Sequence, residues 1–111
     1  MSNGNWNGEQ IISADWVKES TSYHSDATIY RTDGFGYMWW AVNNFNKYPH
    51  FPNVELNEGT YSARGAGGHF MVVIPEDDLI IVHRVNTFDR SNRVATADFG
   101  TLLQKILDAK L

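Results

Sequence analysis

Two short apolar runs joined by a turn constrain the fold of this chain more than any other feature. The runs cover residues 70–74 and 79–85, and Val and Ile dominate both. Such runs predict strands. The intervening Pro75-Glu76-Asp77-Asp78 suits a tight turn, because proline fixes φ at an early turn position. Nearly every position in both runs is apolar, which predicts a hairpin that is covered on both faces.

A glycine-rich segment, Arg64-Gly65-Ala66-Gly67-Gly68, leads into this hairpin at His69. Glycines at the start of an apolar strand bring bare backbone close to a neighbour, which in an enzyme can be a substrate. The segment does not fit a phosphate-binding loop, since a strand and not a helix is predicted to follow it. We therefore expect a strand edge at residues 64–69 that can bind a flat ligand through its backbone groups.

Two helices are predicted around the hairpin. Ser13 can cap a helix over residues 14–20, because its hydroxyl can accept a bond from a free amide in the first turn. This helix is expected to pack Trp16 and Val17 inward. A second helix is predicted over residues 97–109. Its buried stripe at helical spacing is formed by Phe99, Leu102, Leu103, Ile106 and Leu107.

An aromatic run over residues 35–42 predicts a further strand. In a regular strand Trp39 and Trp40 point to opposite faces, so one is expected in the core and the other could line a ligand surface. Residues 43–59 predict a long loop. Together these elements predict a single α+β domain over residues 1–111. Its antiparallel sheet of about three to four strands is packed with an N-terminal and a C-terminal helix.

Composition and charge exclude several function classes. The net charge is −4 and no basic cluster is present, so we expect no nucleic-acid partner. No apolar run is long enough to cross a bilayer, and the polar N-terminus lacks the regions of a signal peptide. No membrane partner is therefore expected, and the location is cytoplasmic if Met1 is the natural start. The chain has no cysteine, which excludes disulfides, thiolate metal sites and a cysteine nucleophile.

The side chains that could carry catalysis form no recognisable motif. No serine is followed by lysine at the third position or lies in a Gly-x-Ser-x-Gly turn, and Ser62 is interpreted as a small strand residue. In a hairpin that turns around Glu76 and Asp77, His69 and His83 fall nearly opposite each other, at a Cβ separation of about 5 Å. They could share a metal ion, but no third ligand is evident. We therefore expect no metal and no cofactor.

Three ordered stretches resemble the C-terminal part of the serine β-lactamase and penicillin-binding-protein-like hydrolases, especially their class C and esterase-like branch. The stretches are WNGEQIISADWVKEST, FGYMWWAV and YSARGAGGHFMVVIPEDDLIIVHRVN. They resemble the family's segment G-x-W-x-G-x-x-I-(L/V)-S-x-x-W-V, its strand G-Y-G-(Y/L)-x-W-W, and its third-motif strand followed by (V/I)-P-x-x-D-L-V-(I/V)-V. FGTLLQKILDA resembles the closing helix, so the resemblance covers about residues 5–110.

The resemblance implies one part of an acyl-transfer site. In that family a Ser-x-x-Lys pair and a Tyr-x-Asn motif carry the reaction, while a third-motif strand binds the substrate backbone and contributes to the oxyanion hole. Only the third element has a counterpart here, at residues 64–68, and it lacks a plain Lys-Thr-Gly. Neither of the other motifs occurs, so we expect no catalytic residue in this chain and no covalent step by the chain alone.

Three hypotheses about function stay open. The first is an inactive C-terminal portion of such a hydrolase, or one that completes an active site with a separate N-terminal portion. The second is a free-standing, oligomeric small-molecule-binding or assembly module, with residues 64–69 and Trp39 or Trp40 as its ligand surface. The third and weakest is a metal hydrolase built on His69 and His83.

Self-association is expected under the first two hypotheses. In the family sheet, the strand that matches Leu79 to Val85 pairs with a strand from the N-terminal end, and that strand has no counterpart here. An apolar strand with an unpaired edge invites association. We therefore expect a homodimer or higher oligomer that uses this edge or the uncovered sheet face.

Overall fold

An antiparallel sheet, in which every strand pairs with the next one along the chain, organises this fold. The structure is a computed structural model and describes residues 2–30, 32, 34–43 and 48–110. A separate two-stranded ribbon precedes the sheet. The helices and strands are, in chain order, β1 (Asn5–Trp6), β2 (Glu9–Gln10), α1 (Ala14–Thr21), β3 (Ser25–Asp26), β4 (Gly34–Phe35), β5 (Trp40–Ala41), β6 (Tyr61–Gly65), β7 (His69–Ile74), β8 (Leu79–His83) and α2 (Thr96–Asp108).

The predicted α+β class with two helices and an antiparallel sheet is confirmed, but the sheet is larger than expected. Six strands pair in the order β3-β4-β5-β6-β7-β8, against the three to four predicted. The additional strands are only two residues long. Strands that short carry no readable alternation of apolar and polar residues, so they leave almost no signal in a sequence.

The aromatic run over residues 35–42 forms a hairpin and not the single strand that was predicted. Its ends are the paired strands β4 and β5. The turn between them is closed by a bond from the Gly36 amide to the Trp39 carbonyl oxygen at 2.7 Å. Met38 lies in the left-handed region, with φ of 68°. A left-handed methionine is uncommon, so a propensity argument does not anticipate this reversal.

The core lies between one face of the sheet and α2. Phe99 and Leu103 of α2 are 1% and 0% exposed, which confirms the centre of the predicted stripe. The rings of Phe70 and Phe99 stack with their centroids 4.4 Å apart. The loop after residue 47 contributes two further residues, and the buried cluster comprises Phe51, Val54, Phe70, Val72, Ile74, Phe99 and Leu103. Burial of each such large side chain contributes about 1.5–3 kcal/mol.

The opposite face of β8 is exposed, so the prediction of a hairpin covered on both faces is wrong for this strand. Leu79 and Ile81 pack against the core, whereas Ile80 and Val82 are 55% and 60% exposed. β8 stands at the edge of the sheet, and α2 covers only its inner side. The continuous apolar run therefore reflects one buried face and one uncovered apolar face.

Helix α1 begins as predicted but packs differently. The Ser13 hydroxyl accepts a bond from the Trp16 amide at 3.2 Å, which caps the helix. Trp16 is 54% exposed and its ring lies 5.8 Å from that of Tyr37, so the prediction that it points inward is wrong. Neither described helix is long and apolar enough to cross a membrane.

The predicted long loop over residues 43–59 is described only in part. Residues 44–47 lie outside the described residues, and residues 48–60 contain no helix or strand. This irregular segment is nevertheless anchored, because Phe51 is fully buried and Val54 is 8% exposed. The segment therefore serves as part of the core as well as a connection.

Candidate functional site

Among the described residues, one edge of strand β6 has no partner strand at three of its five positions. The strand pairs with β7 at all five of its residues, but with β5 only at Tyr61 and Ser62. In the described part of the chain, Ala63, Arg64 and Gly65 have no strand partner on that side. An open edge presents backbone donors and acceptors to an extended ligand. The edge coincides with the segment that the sequence singles out, and substrate binding by residues 64–69 stays a prediction.

The glycine turn after β6 packs closely against the segment that leads into α2. Gly67 and Gly68 have φ of +85° and +106°, a region that side chains disfavour. A Cβ atom on Gly68 would lie 2.8 Å from the Val94 carbonyl oxygen, and the Val94 amide donates to the Gly67 oxygen at 3.1 Å. Close packing thus explains these glycines, while Gly65 and Ala66 are exposed to solvent.

Arg64 is held against the inner face of the sheet. Its guanidinium donates to the His50 carbonyl oxygen at 2.6 Å, and its Nε donates to the Ser62 hydroxyl at 3.3 Å. The guanidinium carbon lies 4.8 Å from the Trp40 ring centroid and 4.4 Å from that of Phe51. A cation placed over two aromatic rings is stabilised electrostatically. Arg64 therefore braces β5 and β6 against the loop that carries Phe51.

Ser62 and His50 form a buried polar pair that sequence patterns do not reveal. The Ser62 hydroxyl oxygen lies 2.8 Å from His50 Nε2, within the distance that a nucleophile and its base require. Ser62 is 0% exposed and His50 is 4% exposed. A hydroxyl with no exposed surface cannot meet an external carbonyl carbon. In this conformation the pair is structural, and no spacing motif links the loop residue to the strand residue.

The two tryptophans lie on opposite faces of the sheet, as the sequence predicts. Trp40 is paired with Ser62 and contacts Arg64 on the inner face. The Trp39 ring meets that of Tyr61 edge-on, with centroids 5.1 Å apart, on the other face. Burial raises the pKa of the Tyr61 hydroxyl. Both tryptophans are half-buried, and a ligand-binding role for either stays a prediction.

His69 and His83 do not face each other, so that expectation is wrong. The observed register pairs His69 with Gly65, and Phe70 with His83. Because side chains alternate along a strand, the two histidines lie on opposite faces. No group of three metal-ligating side chains occurs among the described residues. The register thus removes the geometry on which a shared metal depended.

Each of these histidines forms a hydrogen bond with a backbone group. His83 Nδ1 lies 2.7 Å from the Gly68 carbonyl oxygen, and a carbonyl only accepts, so Nδ1 carries the hydrogen. His69 Nδ1 accepts from the Val85 amide at 3.4 Å. Both contacts stabilise the end of the hairpin next to the glycine turn.

A groove of about 320 Å³ lies beside the predicted ligand segment. Its walls include the two histidines, Arg64 and Arg84. Arginine is always charged and binds carboxylates with paired hydrogen bonds. The Arg64 guanidinium is held on the inner face by His50 and Ser62, so Arg84 is the cation that remains at a groove whose lining is mostly apolar.

Comparison with protein-family models, curated proteins and solved structures finds no match to this chain. The resemblance of the quoted stretches to β-lactamase-like hydrolases therefore stays a prediction.

Proposed function

We propose that this chain is the C-terminal portion of a β-lactamase or penicillin-binding-protein-like serine hydrolase, in which it forms the substrate-binding wall. The observation that carries the proposal is the open edge of β6 at residues 63–65. It lies within the stretch that resembles the family's third-motif strand. An amide or ester substrate can pair with such an edge as an added strand.

The chemical contribution of this wall is positioning and electrostatic stabilisation. Backbone amides of an open strand can donate to the oxygen of a tetrahedral intermediate, which is the task of an oxyanion hole. The attacking hydroxyl and its base come from the N-terminal portion of the hydrolase. Arg84, which lines the groove beside residues 64 and 65, suits substrates with a carboxylate.

The chain alone is inactive under this proposal. Ser62 and His50 lie at the distance of a nucleophile and its base, but Ser62 is fully buried. Without an accessible nucleophile no acyl-enzyme forms, and binding alone does not cleave the substrate.

Hydrolysis assays test the inactive state. The purified chain, incubated with a chromogenic β-lactam and with p-nitrophenyl acetate, should release no more chromophore than the Ser62→Ala variant or buffer. Activity that Ser62→Ala abolishes would overturn the proposal and identify Ser62 as a nucleophile.

The coding DNA immediately upstream tests the family assignment. A reading frame with Ser-x-x-Lys and Tyr-x-Asn should be present, and the joined or co-expressed portions should hydrolyse one of the two substrates. In that protein, Gly65→Val should lower kcat/KM by about 100-fold, because its Cβ atom would lie 3.1 Å from that of His69 and the crowding would displace the edge that binds the substrate. Ala109→Val, at an exposed position after α2, is the matched control and should leave activity unchanged.

A second candidate function is a free-standing oligomeric module for small-molecule binding or assembly. The uncovered apolar face of β8, with Ile80 and Val82 more than half exposed, favours it. Absence of hydrolase motifs upstream, together with self-association of the chain, would favour this alternative over the hydrolase.

A further inference from the structure

We propose that two copies of this chain pair through β8, antiparallel to each other, about a two-fold axis that passes through Ile81. β8 is the last strand in the sheet order, and within the described residues it pairs only with β7. Its outer edge therefore presents unpaired backbone donors and acceptors. Pairing joins the two six-stranded sheets into one continuous sheet.

The β8 edge lacks the features that keep strand edges apart. Soluble proteins protect such edges with lysine, proline, bulges or an inward-pointing charge. Residues 79–82 are Leu, Ile, Ile and Val, with no charge, proline or glycine among them. Ile80 and Val82 are 55% and 60% exposed on the outer face. Pairing of the edge protects both the backbone groups and this apolar surface from water.

The apolar pattern of β8 selects the register. Residues directly opposite each other in an antiparallel pair lie on the same face of the sheet. An axis through Ile81 keeps the outer faces together and places Ile80 of one copy opposite Val82 of the second copy. A shift by two residues would place Ile80 opposite Arg84, or Asp78 opposite Val82. These shifted registers each bring a charge against an apolar side chain.

Charge complementarity at the two ends identifies a second copy as the partner. In the same register Asp78, in the turn before β8 of one copy, comes beside Arg84, just after β8 of the other, and the two-fold axis repeats this pair. Both residues are exposed. A carboxylate accepts several hydrogen bonds, so the pairing adds to the contacts that Asp78 makes within its own chain. The edge thus has an apolar centre flanked by opposite charges, which makes it complementary to itself.

One flank of α2 extends the same surface. The Asn53 side chain donates to the Ala97 carbonyl oxygen, and Gln104 accepts from the Glu55 amide, so that flank faces the loop on the β6 side. Leu102 and Ile106 lie on the other flank, toward β8, by the 3.6-residue period of the helix. Leu102 is 44% exposed. The two-fold axis places both α2 helices on one side of the joined sheet, with these flanks facing each other.

Sedimentation velocity tests the dimer. The wild-type chain should sediment as a dimer at micromolar concentration. Val82→Lys should be monomeric, because it brings ammonium groups to the centre of the interface. Ile29→Lys is the matched control: Ile29 is 82% exposed and lies away from β8, so this variant should remain a dimer. Arg84→Glu should raise the dimer dissociation constant about tenfold through the two symmetry-related pairs with Asp78.

Hydrogen exchange of the wild-type chain gives a readout that does not depend on any variant folding. Within residues 79–83, the amides that do not bond to β7 should exchange slowly at high protein concentration and faster after dilution, while amides of β7 change little. A monomeric wild-type chain, or a dimer whose β8 amides exchange equally at all concentrations, overturns the proposal. The inference concerns the edge of this chain and is independent of the hydrolase proposal, whose assays measure a different property.

Discussion

The hydrogen bond between Ser62 and His50 is the most consequential contact at the scale of single residues. It joins a strand residue to a loop residue, and the Ser62 hydroxyl also accepts a bond from Arg64 Nε. Buried polar atoms need such partners, because an unpaired buried group costs about 1–3 kcal/mol. A sequence cannot reveal this pair, since the contact depends on the path of the irregular loop that carries Phe51 into the core.

Replacement of Ser62 by alanine should lower the free energy of unfolding by about 1–3 kcal/mol, because the bonds of the Ser62 hydroxyl to His50 Nε2 and Arg64 Nε are both lost. Urea unfolding followed by circular dichroism measures the change. Ser25→Ala, at an exposed strand position, should change stability by less than about 0.5 kcal/mol. Equal effects of the two substitutions would contradict the importance of the buried network.

Helix α2 and the hairpin of β7 and β8 were the elements best predictable from sequence, and for physical reasons. Phe99 and Leu103 repeat at helical spacing, so their common burial could be inferred before any contact was known. The observed register, in which Ile74 pairs with Leu79, is the one that a turn centred between Glu76 and Asp77 gives. In that register the residue opposite His69 is Arg84 and not His83. His69 and His83 are therefore one position out of step, and their side chains lie on opposite faces.

The contact of α2 with the preceding loop depends on one glycine. A Cβ atom on Gly100 would overlap the Pro52 carbonyl oxygen. Alanine favours a helix over glycine by about 1 kcal/mol. Gly100→Ala should nevertheless destabilise the chain by about 1–3 kcal/mol net, because the backbone of the loop must move. Urea unfolding measures it, with the exposed Lys105→Ala as control. If Gly100→Ala left the free energy of unfolding unchanged or raised it, the prediction would be wrong, and the loop at Pro52 could move without destabilising the chain.

At the scale of the whole molecule, a sheet with a helix on one face explains both what the sequence could and could not predict. The pattern of predicted helices and strands indicates an α+β chain, and the structure has that class. The open part of β6 and the exposed outer side of β8 arise from which strands are neighbours. Tertiary packing decides which strands are neighbours. Residues 64–69 could therefore be identified from the sequence as a candidate site, but the open edge at residues 63–65 could not be predicted.

Dimerisation links stability to protein concentration. If the native state is a β8-paired dimer, the midpoint temperature of unfolding should rise as the concentration of the wild-type chain increases. The Val82→Lys variant should show a midpoint that does not depend on concentration. Differential scanning calorimetry over a wide concentration range measures both. A concentration-independent midpoint for the wild-type chain would argue against a folded dimer.

The order of the strands in the sheet follows the order of the chain, from β3 to β8. During synthesis each new strand can therefore add to the one made just before it, without waiting for a distant partner. The apolar inner face of β7 is synthesised before α2, which covers it. A nascent chain consequently exposes Phe70, Val72 and Ile74 until α2 has left the ribosome. During this interval the exposed apolar surface makes the chain prone to aggregation.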